Sequence, residues 1–260
     1  MNRFEGLGVL LTGATGGFGI ATARRLAAEG ARLILSDLDA DKLHAMAEGI
    51  DAECVCIAGD VTDPALHRAL VEAAQTSFGG LDVAINNAGI SHAPAKLPDI
   101  PAEDARRTIE VDLMGVLWAM QAQIPSMERR FMTSGAKASI VNIASLAGVA
   151  GAPTISVYSA AKHGVVGLTR SAAAEYARKG IRVNAVCPAF ARTPMVELGI
   201  LRRAQGQSLE EAEKHLVRGV PMRRLGTAEE VAQVIVFAAA PENGFMTGQT
   251  LTVDGGVTAV

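Results

Sequence analysis

A tyrosine and a lysine stand one helical turn apart in the stretch Tyr158–Lys162, and Ser145 precedes them at the end of an apolar run. Side chains at positions i and i+4 of a helix share one face, so the Lys162 ammonium can sit beside the Tyr158 phenol. A free phenol titrates near pH ~10, and lowering its pKa to ~7 requires about 4 kcal/mol of preferential stabilisation of the phenolate. A nearby cation stabilises a phenolate in this way, so the pattern predicts an acid/base pair. An amphipathic surface pair is the alternative.

A second candidate site is the glycine-rich stretch between the first predicted strand and the first predicted helix. Backbone N–H groups and a helix N-terminus can hold a pyrophosphate there, and glycine leaves room for the phosphate to approach. The spacing is neither that of a P-loop nor the common Gly-x-Gly-x-x-Gly, and a purely structural turn is the alternative. The residues expected to bind a cofactor in this stretch are Thr12, Gly13, Thr15, Gly17, Phe18 and Gly19.

Asp37 stands at the end of the second predicted strand, where a carboxylate can bind both hydroxyls of an adenosine ribose. Its charge would repel a 2′-phosphate, and neither Leu38 nor Thr15-Gly16 offers the arginine that would bind one. We therefore expect NAD rather than NADP as the cofactor. An aspartate that caps the following helix is the alternative interpretation.

Short apolar runs alternate with helical patterns along the chain, which predicts a doubly wound α/β fold with a parallel sheet. Gly30 is expected to end the first helix, and Asp63 with Pro64 to begin the third. No repeat or linker interrupts the pattern, so we expect a single Rossmann-type domain over residues 1–260, in which polar and long side chains fill about 192–218. Strands are predicted at 9–11, 32–36, 54–58, 83–86, 140–143, 182–186 and 250–253, and helices at 17–29, 41–48, 64–77, 102–127, 157–179 and 228–239.

The composition favours a protein that binds small molecules. The 260 residues are 49% hydrophobic, which suits one large domain, and the net charge of −3 with scattered basic residues argues against nucleic acid and membrane partners. Residues 1–8 resemble neither a signal nor a transit peptide, and no apolar stretch reaches the ~20 residues that span a bilayer. Cys54, Cys56 and Cys187 are expected to be buried free thiols, with no metal site, in a reducing cytoplasm.

Together these residues resemble the short-chain dehydrogenase/reductase family over essentially the whole chain. Thr12-Gly13-x-x-x-Gly17-x-Gly19 is similar to the family's cofactor turn, and Ser145 with Tyr158 and Lys162 is similar to its catalytic set. The closing Val253-Asp254-Gly255-Gly256 is similar to the family's end as well. The resemblance implies further cofactor contacts at Asp60 and Val61 (adenine), at Asn87, Ala88 and Gly89 (the fourth-strand motif), and at Pro188, Ala191 and Thr193 (nicotinamide).

The resemblance also implies a reaction, the interconversion of a secondary alcohol and its ketone by hydride transfer at nicotinamide C4. Tyr158 would be the acid/base, Lys162 would lower its pKa and bond the nicotinamide ribose, and Ser145 would donate a hydrogen bond to the substrate oxygen. With the resemblance we also expect a helical substrate lid at 190–219, inserted within the domain. Its side chains favour a fairly apolar or cyclic substrate, and His92, Arg192 and His215 leave an acidic group as the alternative. The apolar lid side chains are Met195, Val196, Leu198 and Ile200.

Two positions depart from the family pattern. Asp112 stands where asparagine is usual, and Ala189 follows Pro188 where glycine is usual. Alanine is the smallest change from glycine, so we expect only a small effect on the geometry of that turn. In relatives the main-chain carbonyl at the position of Asp112 is thought to hold a water, so we expect the side chain to be replaceable: Asp112→Asn should keep kcat/KM within about tenfold and move the lower pKa of the pH profile by less than ~1 unit. A carboxylate close to Lys162 would instead leave the Tyr158 pKa higher.

Association is expected as well. Small and apolar residues at 164–168 and 172–174 would let two helices approach closely, and residues 257–260 are apolar too, so we expect a homotetramer or, failing that, a dimer. Two other functions stay open at this point. One is an NADP-dependent 3-oxoacyl-thioester reductase, and the other is a catalytically idle NAD-binding protein. Asp37 argues against the first, and the intact Ser145, Tyr158 and Lys162 against the second.

Overall fold

The computed structural model describes residues 2–197 and 208–260. Seven strands form one parallel sheet in the order β3-β2-β1-β4-β5-β6-β7. The strands are β1 Gly8–Thr12, β2 Arg32–Ser36, β3 Cys54–Cys56, β4 Val83–Asn86, β5 Ala138–Ile143, β6 Ile181–Pro188 and β7 Thr250–Val253. The α-helices are α1 Gly17–Ala27, α2 Ala40–Glu48, α3 Pro64–Phe78, α4 Ala102–Ile109, α5 Gly115–Ser134, α6 Ser156–Tyr176, α7 Leu209–Leu216 and α8 Ala228–Ala239.

The order of the strands creates the crevice that holds the site. The chain runs outward from β1 through β2 to β3 and then returns to place β4 on the other side of β1. In open sheets of this kind, ligands bind beyond the carboxyl ends of the strands at the point where the order reverses. The predicted doubly wound parallel sheet is thereby confirmed.

Both faces of the sheet are buried, which explains why its strands are apolar runs. Along β1, Val9 and Leu11 belong to one core cluster while Leu10 belongs to the other, as the alternation of side chains along a strand requires. Helices α1 and α8 cover the first face, and α3, α5 and α6 cover the second. The helix that carries Tyr158 and Lys162 is therefore packed directly on the sheet.

The long helical region is interrupted, which the sequence did not predict. Instead of one helix over 102–127, α4 is followed by a π-helical turn at Glu110–Met114, and α5 then continues to Ser134 with Pro125 in its interior. Gly135, at φ 72°, ends it. The π turn matters here because it contains Asp112.

Smaller differences lie at other element ends. Helix α1 ends at Ala27, earlier than predicted, and the turn that follows reaches Gly30 at φ 89°. Strand β3 is shorter than predicted, whereas β5 and β6 begin earlier, and β6 also extends further. Asp63 caps α3 as expected, with its side chain accepting from the Ala65 N–H.

Buried amides join α5 and α6 to the sheet. The Asn86 amide on β4 donates to Asn142 Oδ1 on β5 at 2.8 Å, and Gln123 of α5 donates to Asn86 Oδ1 at 2.8 Å. Asn142 in turn donates to the Thr169 hydroxyl of α6 at 2.9 Å. All four side chains are buried, so each hydrogen bond avoids the desolvation cost of an unpaired polar group. We call these four residues the amide network.

Candidate active site

Tyr158 and Lys162 lie together at the N-terminal end of α6. The Lys162 ammonium is 5.6 Å from the centre of the Tyr158 ring and donates to the Ile143 carbonyl, at the end of β5, at 3.1 Å. Only 3% of Lys162 is exposed. A lysine is rarely buried without partners, and Lys162 has the Ile143 carbonyl as its hydrogen-bond acceptor inside the fold. The structure thus brings the two residues together as predicted.

Ser145 follows β5 and begins a short 3-10 turn, Leu146–Gly148. Its hydroxyl accepts from the Ala147 N–H at 3.1 Å and also interacts with Tyr158. Gly148 allows this turn to lie against α6, because a Cβ there would stand 2.8 Å from the Lys162 carbonyl oxygen. No sequence pattern indicated this role for Gly148. Ser145, Tyr158 and Lys162, the catalytic set that the resemblance implies, therefore meet at the C-terminal end of β5 and the N-terminal end of α6.

The electrostatics of Tyr158 have opposing contributions. Burial raises the pKa of Tyr158 above the ordinary phenol value, while the Lys162 ammonium lowers it, the Asp112 carboxylate raises it and a hydrogen bond with Ser145 lowers it. Lys162 acts in the predicted direction, but burial outweighs it. The phenol is therefore protonated at neutral pH in the free protein.

Asp112 is fully buried beside this pair. Its Oδ1 accepts from the Ile90 N–H at 2.8 Å and lies 3.9 Å from Lys162 Nζ. Its Oδ2 is buried and has no hydrogen-bond partner among the described residues. Burial raises the pKa of the Asp112 carboxyl, and the Lys162 ammonium and the Ile90 N–H lower it. This placement favours a role for the side chain over the expectation that only the main chain at this position matters.

Gly89 is required where the fourth-strand motif passes this pair. A Cβ on Gly89 would stand 2.9 Å from Asp112 Oδ1 and 3.1 Å from Lys162 Nζ. Nothing larger than glycine fits there without displacing one of the two charged groups. The motif at the end of β4 is thus packed against Lys162.

The glycine turn after β1 has the features of a phosphate cradle. Gly13 is left-handed at φ 65°, and a Cβ on Gly19 would stand 2.1 Å from the Gly13 carbonyl oxygen. Gly16 precedes α1 and provides no side-chain cap, whereas Asp39 and Asp63 cap α2 and α3. The first N–H groups of α1 have no partner within the helix and point toward the crevice end of the sheet. These residues fit a cofactor pyrophosphate.

Asp37 is fixed next to this turn. Its Oδ2 accepts from the Thr15 N–H at 2.8 Å and from the Thr15 hydroxyl at 2.7 Å. The alternative that Asp37 caps a helix is wrong, because α2 is capped by Asp39, which accepts from the Lys42 N–H at 3.1 Å. The Asp37 carboxylate is therefore held at the end of β2 by the cofactor turn itself.

The other predicted cofactor residues converge on the same edge of the sheet. The Thr12 hydroxyl accepts from the N–H groups of Asn87 and Ala88, both at 3.2 Å, which ties the ends of β1 and β4 together. Thr193 is buried and packs on Gly17, where an added Cβ would stand 2.9 Å from Thr193 Cγ2. The start of the lid segment therefore lies on the cofactor turn. Asp60 and Val61 follow β3 at this edge, and the Asp60 carboxylate accepts from the Thr62 N–H at 2.9 Å.

Ala189 does not disturb the turn after β6. Its N–H donates to the Val253 carbonyl at 3.0 Å, and among the described non-glycine residues a positive φ occurs only at Thr154 and Arg223. Pro188 ends β6, and Ala191 forms a bridge with Gly226 that holds the start of the lid. Alanine is accommodated here because the backbone does not need the left-handed conformation.

The remaining candidate residues fall into separate places. Arg192 is paired with Glu213 at 2.8 Å, His215 is exposed, and His92 is buried. Leu198 and Ile200 lie outside the described residues.

The cysteines differ in burial. Cys187 is buried, and its burial raises the pKa of the thiol to about 11, but Cys54 and Cys56 are only half-buried, contrary to expectation. Within residues 2–197 and 208–260 no cluster of three or more His, Cys, Asp or Glu side chains could hold a metal ion, and no helix is long and apolar enough to cross a bilayer.

Comparison with known proteins identifies relatives along almost the entire chain. A family model described as enoyl-(acyl carrier protein) reductase matches residues 13–258. A cyclohexanol dehydrogenase of Acinetobacter sp. (strain SE19) is 38% identical over 261 residues, which cover 99% of this chain and 97% of that protein. A 3-oxoacyl-(acyl-carrier-protein) reductase of Thermotoga maritima is 38% identical over 258 residues, covering 98% of this chain and 99% of that one.

Solved structures agree with these matches. The crystal structure of a levodione reductase superposes with a TM-score of 0.93 at 35% identity, covering 99% of this chain and 100% of that one. Two further structures, 31% and 30% identical, hold NADH and NADP respectively. The protein is accordingly an oxidoreductase of a type that uses a nicotinamide cofactor, and the chain belongs to the short-chain dehydrogenase/reductase family.

Proposed function

We propose that this protein is an NAD-dependent oxidoreductase that interconverts a secondary alcohol and its ketone, with a fairly apolar or cyclic substrate. The observation that carries the proposal is the meeting of Tyr158, Lys162 and Ser145 at the crevice where the cofactor turn also ends. Such a set needs a proton donor or acceptor, a cation to tune it and a donor for the developing oxyanion, and all three are present.

Each residue has a defined part in the reaction. A bound nicotinamide cofactor supplies the carbon that accepts or returns a hydride. Tyr158 takes the hydroxyl proton during oxidation and returns it during reduction, Ser145 donates a hydrogen bond to the substrate oxygen, and the buried Lys162 ammonium stabilises the phenolate. Because the pKa of Tyr158 is raised in the free protein, the phenol is ready to donate a proton. Oxidation needs the phenolate, so its rate should increase with pH.

The preference for NAD is based on Asp37. The carboxylate is anchored by Thr15 at the end of β2, where the adenosine ribose binds in folds of this type. Leu38, which follows, is 60% exposed and apolar, so it offers a 2′-phosphate no charge. A fixed negative charge without a compensating cation favours a free ribose over a phosphorylated one.

The surroundings of the site support an apolar substrate. Val149, Phe190 and Met195 are exposed apolar side chains on the turn after β5 and on the first part of the lid. Arg192 is engaged by Glu213, which leaves it less available for an acidic group. The relative named a cyclohexanol dehydrogenase fits a cyclic alcohol. A 3-oxoacyl-thioester reductase is the second candidate, since one such relative is equally similar in sequence.

A panel of secondary alcohols tests the proposal. Purified protein is incubated with NAD⁺ or NADP⁺ and with linear, cyclic and hydroxyacyl-thioester alcohols, and formation of the reduced cofactor is followed by absorbance. Turnover of cyclic alcohols with NAD⁺ is the expected result. Turnover confined to hydroxyacyl thioesters with NADP⁺ would establish the second candidate. Tight NAD⁺ binding without turnover of any alcohol would instead point to a catalytically idle NAD-binding protein.

We further propose that the protein is a cytoplasmic homotetramer. Part of the predicted contact surface on α6 is used within the chain, since Val165, Val166, Ala172 and Ala173 are buried in its own core. Exposed aromatic and aliphatic side chains near the C-terminus support association instead. These are Phe237, Phe245 and Val260, with exposed fractions of 46, 106 and 95%.

A further inference from the structure

We infer that Asp112 is a positioning residue for the Tyr158–Lys162 pair: its carboxylate is the buried counter-ion of the Lys162 ammonium and opposes the effect of that ammonium on the phenol. The inference rests on the proposed function for its catalytic meaning. It goes beyond that function because it assigns a separate role to the negative charge of Asp112, at a position where the family pattern has a neutral asparagine.

The first argument is the position of the carboxylate. Asp112 lies in the π turn, with none of its surface exposed, and its Oδ1 is 3.9 Å from Lys162 Nζ. This distance is too long for a hydrogen bond but short for two charges, since solvent does not screen a pair in the interior as it does at the surface. Lys162 already donates to the Ile143 carbonyl at 3.1 Å, so the ammonium lies between a neutral hydrogen-bond acceptor and a charged carboxylate that it does not hydrogen-bond.

The second argument is that Asp112 also holds the main chain that passes the pair. Its Oδ1 accepts from the Ile90 N–H at 2.8 Å, directly after Gly89, whose Cα has no room for a Cβ beside the two charged groups. An asparagine would keep this acceptor with nearly the same shape. The substitution Asp112→Asn therefore removes the charge and preserves the contact with the loop.

The third argument is that few other charges compete near the phenol. The titratable groups that act on Tyr158 come from three elements: Lys162 from its own helix, Asp112 from the π turn and Cys187 from β6. Cys187 is a buried thiol whose pKa is about 11, so it is uncharged near neutral pH. The balance between Lys162 and Asp112 is thus the main electrostatic variable among these side chains.

The chain offers a direct measurement of this balance, because Tyr158 and Tyr176 are its only tyrosines. In a Tyr176→Phe background, the tyrosinate absorbance reports Tyr158 alone, in the cofactor-free protein. Rapid pH jumps allow the absorbance to be read before alkaline unfolding. Asp112→Asn should lower the midpoint of this titration by about one pH unit. Glu110→Gln, which removes an exposed carboxylate from the same π turn, is the matched control and should leave the midpoint unchanged.

An unchanged or raised midpoint in Asp112→Asn, with the protein folded by circular dichroism, would overturn the inference. Should the asparagine variant not fold, Asp112→Ser offers a smaller neutral acceptor for the Ile90 N–H and must show the same downward shift. The pH profile of alcohol oxidation should move to lower pH in parallel. The titration needs no turnover, so it separates the two proposals. A shifted midpoint without activity in the alcohol panel would refute the proposed function alone. Turnover without a shift would refute only the role of Asp112.

Discussion

Replacing Asp37 with alanine should relax the preference for NAD over NADP by weakening the use of NAD more than that of NADP. The carboxylate is fixed at the end of β2 by the N–H and the hydroxyl of Thr15, at 2.8 and 2.7 Å. Its removal takes away a charged partner of the ribose hydroxyls and, at the same time, a charge that repels a 2′-phosphate. Both effects shift the ratio of the two cofactors in the same direction.

The size of the shift follows from the contact that is lost. A hydrogen bond to a charged group contributes roughly 1.5–3 kcal/mol, which corresponds to about 10- to 150-fold in the ratio of kcat/KM with NAD to that with NADP. Asp37→Ala also frees Thr15 and so loosens the cofactor turn. That loosening affects the pyrophosphate of both cofactors equally and cancels in the ratio, although it lowers both values of kcat/KM.

The assay compares kcat/KM for NAD⁺ and NADP⁺ with one alcohol from the panel, and calorimetry gives the two dissociation constants without turnover. Asp39→Ala is the control, because it removes a carboxylate two positions away that caps α2 and pairs with Lys42 at 2.9 Å. The control should keep the parent ratio. If the ratio in Asp37→Ala stays within about twofold of the parent, the carboxylate does not select the cofactor and the reasoning fails.

Three further outcomes are expected. Tyr158→Phe should reduce turnover by at least about 10²-fold while NAD binding is retained, because only the proton acceptor is deleted; retained activity would contradict the mechanism. Gly89→Ala should lower kcat/KM more than about tenfold, because its Cβ would stand 2.9 Å from Asp112 and 3.1 Å from Lys162. The control Gly151→Ala should have little effect, because its Cβ meets no atom within 4 Å. Equal losses in both variants would count against this packing argument. Sedimentation at micromolar concentration should give a tetramer, and a single species of 27.0 kDa would exclude it.

Much of the fold was accessible from the sequence because strands buried on both faces are continuous apolar runs between helices. The interruption of the long helical region was not, since the apolar pattern of residues 102–127 fits a continuous helix and gives no sign of the π turn around Asp112. Element ends were also missed: α5 continues to Ser134 instead of ending near 127, and α1 ends at Ala27 instead of 29. Such details depend on packing between elements rather than on local periodicity.

For the site, residue types at known spacings were enough to predict the meeting of Ser145, Tyr158 and Lys162. What the sequence could not give is contact between residues far apart along the chain. The packing of Thr193 on Gly17, and the separation of roles between Asp37 and the helix cap Asp39, become visible only in three dimensions. The same holds for the Asp112 carboxylate. Its distance from Lys162 favours an electrostatic role of the side chain over the expectation that only the main chain at this position matters.

The amide network has a consequence for how accurately the chain can assemble its crevice. Asn86 and Asn142 are direct neighbours in the register of β4 and β5, next to the strand ends from which Gly89 and Ser145 follow. Sliding β4 by two residues would keep its apolar face inward but displace these ends by roughly 6.6 Å, which would separate the lysine from the loop that packs on it. Hydrophobic pairing alone discriminates weakly between such alignments. A misaligned pair of strands would leave buried amides unbonded at about 1–3 kcal/mol each, so the network makes the observed register of β4 and β5 more stable than the shifted one.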